Sequence, residues 1–305
     1  MTSRANFARE VFLCHPAGCR GVIRERVAME QPLHIMIIGA HPDDNELNCG
    51  GLTARLTNRG HKVRYVSVTN GDKGHFAAEY IDNPALLAER RLIEAQKAAA
   101  AVGADYVCLN VHDGEVYVDK ETTEAVIRTI RSFGEPGKGP DLVIFNRTVD
   151  YHRDHRYTAQ LVVDATYMLT VPMMCPDTPF LTRMPVFAHW FDVFTEHGAF
   201  VSEIAVPIDD VFEQKVDAVA CHISQLFEWL PYNAGQLDSV PSDDASRRER
   251  LHEQLLARAA VRTAASRSAR LHGDPSAVSV EAYRICEYGR RPSDGELRQL
   301  FTIDG

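Results

Sequence analysis

The segment His-Pro-Asp-Asp at positions 41–44 joins an imidazole to two carboxylates directly after an apolar run, residues 33–38. The run predicts a buried parallel strand, and ligands bind beyond the carboxyl ends of strands in open α/β sheets. Imidazole nitrogen and carboxylate oxygen are ligands suited to zinc. His41 and Asp44 can therefore bind a metal ion while Asp43 points toward its bound water. The alternative is that an aspartate only caps the helix that follows.

A second cluster, Asp-Tyr-His-Arg-Asp-His at positions 150–155, follows another apolar run, residues 142–145. Two histidines and two aspartates within six residues are unusual in an ordinary loop. The carboxyl end of a predicted strand would place them at the same sheet edge as the first cluster. A catalytic zinc site needs three protein ligands and an open position for water. The two clusters together therefore favour a catalytic metal site over a simple helix cap.

The elements that must position these clusters alternate between strand-like and helix-like segments. Strands are predicted near residues 33–38, 63–69, 106–109, 142–145, 187–194 and 204–208, and helices near residues 46–59, 83–102, 122–132 and 156–169. This alternation predicts an α/β fold, Rossmann-like and doubly wound, with a mostly parallel sheet flanked by helices and with extra C-terminal strands and helices.

Two further helices are predicted in the last third of the chain. Asp210 and Glu213 have the spacing of a capping box, which would open a helix that runs to about Leu230. A helical segment at residues 246–270 carries seven arginines. We interpret these arginines as the solvated face of a helix, with a basic docking surface as the alternative.

Composition and charge restrict the classes of partner. The 305 residues include 33 basic and 42 acidic side chains, so the net charge of −9 argues against nucleic acid and anionic membrane as partners. No apolar run reaches the roughly 18 residues that a membrane span needs. Seven scattered cysteines indicate reduced thiols, and the start of the chain lacks a secretory apolar core. We therefore expect a cytoplasmic protein with a small-molecule partner; a homo-oligomer is compatible with the sequence.

The two clusters resemble the motifs of the PIG-L/LmbE-like family of zinc-dependent N-deacetylases. Those motifs are Ala-His-Pro-Asp-Asp-x-Glu with a following Gly-Gly, and His-x-Asp-His. They stand here at residues 40–46, 50–51 and 152–155, and the resemblance extends to residues 69–74, to Arg91 and Glu94, and to His222, Ser224 and Gln225. The Asp-Asp-x-Glu spacing, with Asn45 as x, is similar to the family branch of bacillithiol-pathway-like deacetylases.

The resemblance implies a division of roles among the motif residues. Three zinc ligands are implied, which are His41, Asp44 and His155. Asp43 would be the general base that activates water, a cationic His152 would stabilise the oxyanion, and Asp154 would fix an imidazole orientation. Fe²⁺ or another divalent ion could occupy the same ligands in place of Zn²⁺.

Three other residues are candidates for substrate contacts. Arg91 could shape the site, although an ordinary surface ion pair with Glu94, one helical turn away, is the alternative. Asp72 follows an Asn-Gly turn, so a turn role competes with a contact to a sugar hydroxyl. Asp113 follows the third predicted strand and has the same two interpretations.

The resemblance implies an N-deacetylase that hydrolyses a linear amide, with an N-acetylglucosamine-type sugar or glycoside as substrate. One alternative is an amidase that acts on a thiol conjugate or a natural-product intermediate. Another is a non-catalytic sugar-binding module. No G-x-G-x-x-G follows the first strand, which argues against a dinucleotide cofactor.

The domain organisation follows from the extent of the family resemblance and from the length of the chain. We predict an N-terminal extension at residues 1–30 and one domain at residues 31–305. That domain would comprise a core at residues 33–230, which the resemblance covers, and a helical part at residues 231–305.

Overall fold

The computed structural model describes residues 31–303, and within them eight strands form one sheet that is flanked by nine α-helices. The strands are His34–Gly39 (β1), Lys62–Thr69 (β2), Asp105–Val111 (β3), Leu142–Phe145 (β4), Val186–Trp190 (β5), Ile204–Pro207 (β6), Leu271–His272 (β7) and Val280–Ile285 (β8). The helices are Asp44–Asn58 (α1), Ala78–Asp82 (α2), Pro84–Ala101 (α3), Lys120–Arg131 (α4), Arg153–Met168 (α5), Phe212–Ala220 (α6), Leu230–Asn233 (α7), Asp244–Ala265 (α8) and Asp294–Leu300 (α9). The predicted extension at residues 1–30 lies outside the described residues.

The strand order is β3-β2-β1-β4-β5-β8-β6-β7. Strands β1 to β5 pair in parallel, whereas β8 is antiparallel to both of its neighbours, β5 and β6. The chain winds outward from β1 to β3 on one side and then from β4 to β5 on the other. This reversal is the topological switch of a doubly wound sheet, and it opens a crevice at the carboxyl ends of β1 and β4. The predicted fold class is confirmed.

The apolar run of β1 is buried on both faces of the sheet. Ile35 and Ile37 pack in the cluster that includes residues of α1, α3, α6 and α8, whereas Met36 and Ile38 pack against α4 and α5. Because alternate side chains of a strand point to opposite faces, a strand covered on both sides must be apolar throughout. This explains why the sequence shows a continuous run here.

Helix α5 begins earlier than the sequence pattern predicts. It starts at Arg153, with His152 as its N-cap, rather than near residue 156. Asp154 and His155 therefore belong to the first turn of a helix instead of a loop. Their side chains are held by a rigid element at the sheet edge.

The predicted capping box is wrong. Asp210 lies in a 3₁₀ turn, and α6 begins at Phe212 without a side-chain cap and ends at Ala220. The physical reason is that Asp210 is engaged by Arg55, at 2.7 Å, and is not free to cap. A π-helical segment, Ser224–Trp229, follows after a break.

Helix α1 passes very close to its neighbours at Gly51. A Cβ atom there would lie 2.5 Å from Cγ2 of Ile208, so only glycine fits. The backbone N–H groups of Gly51 and Leu52 donate to the carboxylate of Glu281 in β8, at 2.9 and 2.8 Å. The ammonium of Lys215 donates to the same carboxylate, and both charged groups are buried. The buried ion pair of Glu281 and Lys215 thus links the middle of α1 to β8.

Candidate metal centre

Three of the predicted side chains converge in the crevice between the carboxyl ends of β1 and β4. Nδ1 of His41 lies 3.1 Å from Nε2 of His155. The Asp44 carboxylate lies 3.3 Å from Nε2 of His155 and 3.7 Å from Nδ1 of His41. Ligand atoms that share a tetrahedral zinc at about 2.0–2.1 Å are spaced roughly 3.3 Å apart. These residues therefore fit a divalent metal ion in both chemistry and spacing.

The backbone before α1 holds the Asp44 carboxylate in place. Its Oδ2 accepts hydrogen bonds from the N–H groups of Ala40 and His41, both at 2.8 Å. Burial alone would raise the pKa of Asp44, but the facing His155 and His41 hold it well below its usual value. The carboxylate is therefore ionised, as a metal ligand must be.

Carboxylates also face the second ring nitrogen of each histidine. Nε2 of His41 lies 3.2 Å from Asp113 and 3.4 Å from Asp154, and Nδ1 of His155 lies 3.0 Å from Asp150. Desolvation lowers the pKa of His41, but hydrogen bonds to Asp113 and Asp154 outweigh it and raise the pKa to about 9. Such partners fix ring orientation and basicity at metal sites.

Asp154 is fully buried and rigidly held. Its carboxylate accepts the N–H groups of Gly114 and Val116, at 2.6 and 3.3 Å, in addition to facing His41. The imidazole that Asp154 is placed to orient is therefore that of His41. This neighbour lies 113 positions earlier in the chain, so sequence spacing did not identify it.

His152 lies at the N-terminus of α5, with its ring against His41. The ring centroids are 4.7 Å apart and nearly perpendicular, and Nδ1 of His152 accepts the N–H of Asp154 at 3.2 Å. Desolvation and the charges of His41 and His155 lower the pKa of His152. This environment opposes the cationic ring that the resemblance implies. A neutral ring with Nδ1 as acceptor carries its proton on Nε2.

Asp43 is buried beside the three converging side chains, and its carboxylate makes no capping hydrogen bond to α1. Its Oδ1 instead accepts a hydrogen bond from the guanidinium of Arg91, at 3.2 Å. The surface ion-pair interpretation of Arg91 is wrong, because the side chain is 2% exposed. Glu94 does not pair with Arg91 and accepts hydrogen bonds from the hydroxyl and N–H of Ser224.

The turn after β2 is shaped by Arg91. Gly71 has a φ of +70°, and a Cβ atom there would lie 2.2 Å from Nη1 of Arg91. The same nitrogen donates to the carbonyl of Gly71, at 3.1 Å. A residue with a side chain at position 71 would therefore displace the arginine that fixes Asp43.

The two aspartates predicted to contact substrate lie one behind the other. Asp113 faces His41 and lies 3.8 Å from Arg91. Burial would raise the pKa of Asp113, but the hydrogen bond to His41 and the charges of His41 and Arg91 lower it to about 2. Asp72 lies farther back, where its Oδ1 accepts the N–H of Asp113 at 2.9 Å. The structure thus places Asp72 against the Asp113 turn.

A family model described as PIG-L: GlcNAc-PI de-N-acetylase matches residues 36–166, which include all the side chains that converge here. This segment of the chain therefore matches the PIG-L family. A diacetylchitobiose deacetylase of Thermococcus kodakarensis is 28% identical over 207 residues, which are 65% of this chain and 74% of that protein.

Solved structures agree on the fold of this protein. An N,N′-diacetylchitobiose deacetylase from Pyrococcus horikoshii superposes with a TM-score of 0.65 at 20% identity, over 85% of each chain. A 4-carboxy-2-hydroxymuconate hydratase from Pseudomonas putida gives 0.64 at 19% identity, over 86% of this chain and 98% of the other. Because proteins with different activities share the architecture, function must be argued from the site.

Two acidic residues near the site were not selected from the sequence as site residues. Asp150 faces His155, and Glu46 is fully buried with an oxygen 3.4 Å from Nε2 of the equally buried His222. Glu46 belongs to the first motif and Asp150 to the cluster at residues 150–155, which was the available signal. Among residues 31–303, no helix is long and apolar enough to cross a bilayer.

Proposed function

We propose that this protein is a metal-dependent hydrolase of the PIG-L type that removes an N-acetyl group from an N-acetylglucosamine-type sugar or glycoside. The convergence of His41, Asp44 and His155, with Asp43 beside them, carries the proposal. The names of the matched family and of the Thermococcus relative both specify an N-acetylated glucosamine unit.

The three converging side chains would hold the metal, and zinc is the ion that their two imidazoles and one carboxylate suit best. When bound, such an ion polarises an amide carbonyl and lowers the pKa of water from about 15.7 to about 7. Fe²⁺ is the alternative occupant of the same ligands. Asp113, Asp150 and Asp154 would keep the two histidines oriented.

Asp43 would accept the proton of the attacking water. Arg91 holds one carboxylate oxygen, and the other makes no hydrogen bond to any residue between 31 and 303. That second oxygen is available to the water. The proton then passes from Asp43 to the amide nitrogen as the C–N bond breaks, so that acetate and a free amine are released.

His152 would donate a hydrogen bond to the carbonyl oxygen as negative charge develops. We expect His152→Ala to lower kcat by roughly 100- to 1,000-fold, the usual loss of one oxyanion donor. His152→Ser restores an acceptor for the N-cap but cannot reach the oxygen, so we expect the same loss. Steady-state kinetics with metal content measured in parallel test this. A loss below about threefold in both variants would exclude the role.

Asp150 would fix the ring of His155. We expect Asp150→Asn to weaken metal affinity by about 10- to 100-fold, as is typical for partners of metal-binding histidines. Competition with a chelator of known affinity measures the change. Asp164→Asn, an exposed change on α5, the helix that carries His155, is the matched control and should behave as the wild type. Equal affinities in the two variants would contradict the assignment.

The decisive experiment for the whole proposal joins metal analysis to a substrate screen. Protein purified without chelator is expected to contain about one zinc or iron per chain by elemental mass spectrometry. It should then release acetate from N-acetylglucosamine glycosides in preference to acylated thiol conjugates. Absence of metal after reconstitution would exclude the metal centre. Turnover of thiol conjugates alone would replace the sugar as substrate. The cytoplasmic setting and the oligomeric state remain predictions.

A further inference from the structure

An apolar cavity of about 360 Å³ lies between α8 and the segment formed by Ser224–Trp229 and α7. We call it the α8 cavity. Its walls include Leu47, Leu226, Phe227, Leu230, Leu251 and Leu255. The volume is within the range of small-molecule sites. No acidic residue lines it in the part of the chain that the structure describes, whereas Arg250 and Arg258 do.

The α8 cavity reaches the catalytic edge of the sheet at Leu47. This residue lies in the first turn of α1, and its N–H donates to the carbonyl of Asp43 at 3.3 Å. Helix α8 is tied to the same point, because Arg262 donates to the carbonyl of Leu47 at 3.2 Å. Arg258 lies one helical turn before Arg262 and faces the cavity.

Arg258 lines the α8 cavity together with Leu47, the residue whose N–H donates to the carbonyl of Asp43. Desolvation and the neighbouring Arg262 lower the pKa of Arg258, and the charge of Asp43 raises it. The side chain is exposed, as expected at the mouth of a cavity. It makes no hydrogen bond or ion pair with any residue between 31 and 303. An unpaired cation therefore lies at the boundary between the apolar walls of the α8 cavity and solvent.

The charge at this boundary indicates which half of an amide substrate the cavity suits. Hydrolysis adds water across the C–N bond and yields a carboxylate from the acyl half and an ammonium from the amine half. A guanidinium attracts the first product and repels the second. The apolar walls behind it suit a hydrocarbon chain, and the single methyl group of an acetyl would leave most of them uncovered.

We propose that the α8 cavity receives the hydrocarbon chain of an N-acyl group longer than acetyl, with Arg258 beside the acyl carbon. The inference rests on the proposed amide hydrolysis and extends its substrate class to N-acylated amino sugars. Burial of one methylene is worth about 0.8 kcal/mol, or roughly fourfold in binding. A medium-length chain therefore gains enough to dominate specificity.

Ala257 offers a variant that fills the cavity without disturbing the core. It lines the cavity yet is exposed on α8, and Ala260 is exposed on the same helix without lining it. We expect the wild type to hydrolyse N-octanoylglucosamine with a kcat/KM about tenfold or more above that for N-acetylglucosamine. Ala257→Phe should remove this preference and leave N-acetyl turnover unchanged, whereas the control Ala260→Phe should keep it. A wild-type preference for acetyl would overturn the inference.

A binding measurement separates this inference from the proposed hydrolysis. Calorimetry on the metal-loaded wild type compares octanoate, acetate and octylamine, none of which has to be hydrolysed. We expect octanoate to bind about tenfold or more tightly than either of the others, and Ala257→Phe to abolish the difference. If octanoate binds in this way but no amide is cleaved, the proposed hydrolysis is excluded, whereas the assignment of the α8 cavity to an acyl chain is retained. If octylamine binds as well as octanoate, or if octanoate and acetate bind equally, the acyl assignment is overturned.

Discussion

Replacement of Asp43 by asparagine is expected to lower kcat by about 100- to 10,000-fold, the range for loss of a general base. The bound metal should stay near one ion per chain, because Asp43 is not among the three converging ligands. Asparagine is nearly isosteric and still accepts the hydrogen bond from Arg91, so the fold should be retained. Steady-state kinetics with an N-acyl sugar that the wild type hydrolyses measure kcat, and elemental analysis of the same sample measures the metal content.

A matched change at an exposed aspartate controls for the general effect of removing one negative charge. Asp244→Asn, at the start of α8, leaves the site untouched because its side chain is fully exposed. It should show wild-type kinetics. Wild-type kcat in the Asp43 variant would exclude the mechanism, and loss of metal from it would reassign Asp43 as a ligand.

Replacement of His155 by alanine is expected to produce the second large effect, loss of the metal itself. Removal of one of the three proposed ligands should weaken metal affinity by more than about 100-fold. That value is the upper loss found when a residue that only hydrogen-bonds to a ligand is replaced. Protein isolated from medium with trace zinc should then contain almost no metal and show no turnover. Elemental mass spectrometry and activity after stepwise addition of zinc measure the loss.

The change at His155 also has a specific control. His252→Ala removes a half-buried histidine of α8 that pairs with Glu213, far in sequence from both motifs. It should retain one metal ion per chain. If the His155 variant binds zinc as tightly as this control, the ion is held elsewhere, and the alternative grouping of His41 with Asp113 and Asp154 would have to be considered.

The parallel part of the sheet could be predicted from the sequence because β1, β2 and β4 are apolar runs bounded by turn residues. Periodicity also located α3 and α4 to within two residues. It failed at the N-terminus of α5, where the ligand-bearing turn is polar and carries no apolar repeat. The sequence pattern also failed at Asp210. Its carboxylate could cap the following helix or bind a distant arginine, and in the structure it binds Arg55.

The site could be predicted as far as its motifs extend. Strand-end positions and the family resemblance indicated which residues converge, since each motif is local. The hydrogen-bond partners of those residues could not be predicted from the motifs. The contact of Arg91 with Asp43 joins residues 48 positions apart, and helical spacing favoured Glu94 as the partner of Arg91 instead. Long-range packing decided between them.

The bond between Glu281 and the middle of α1 has a consequence for the order of assembly during synthesis. The carboxylate and the N–H of Gly51 that it accepts are 230 positions apart. When the ribosome has released only the segment that carries the proposed metal ligands, Glu281, the buried partner of Lys215 and of α1, has not yet been synthesised. Contacts of such long sequence separation form slowly. We therefore expect the nascent amino-terminal half to remain unfinished, and exposed to chaperones and proteases, until β8 emerges and completes the sheet.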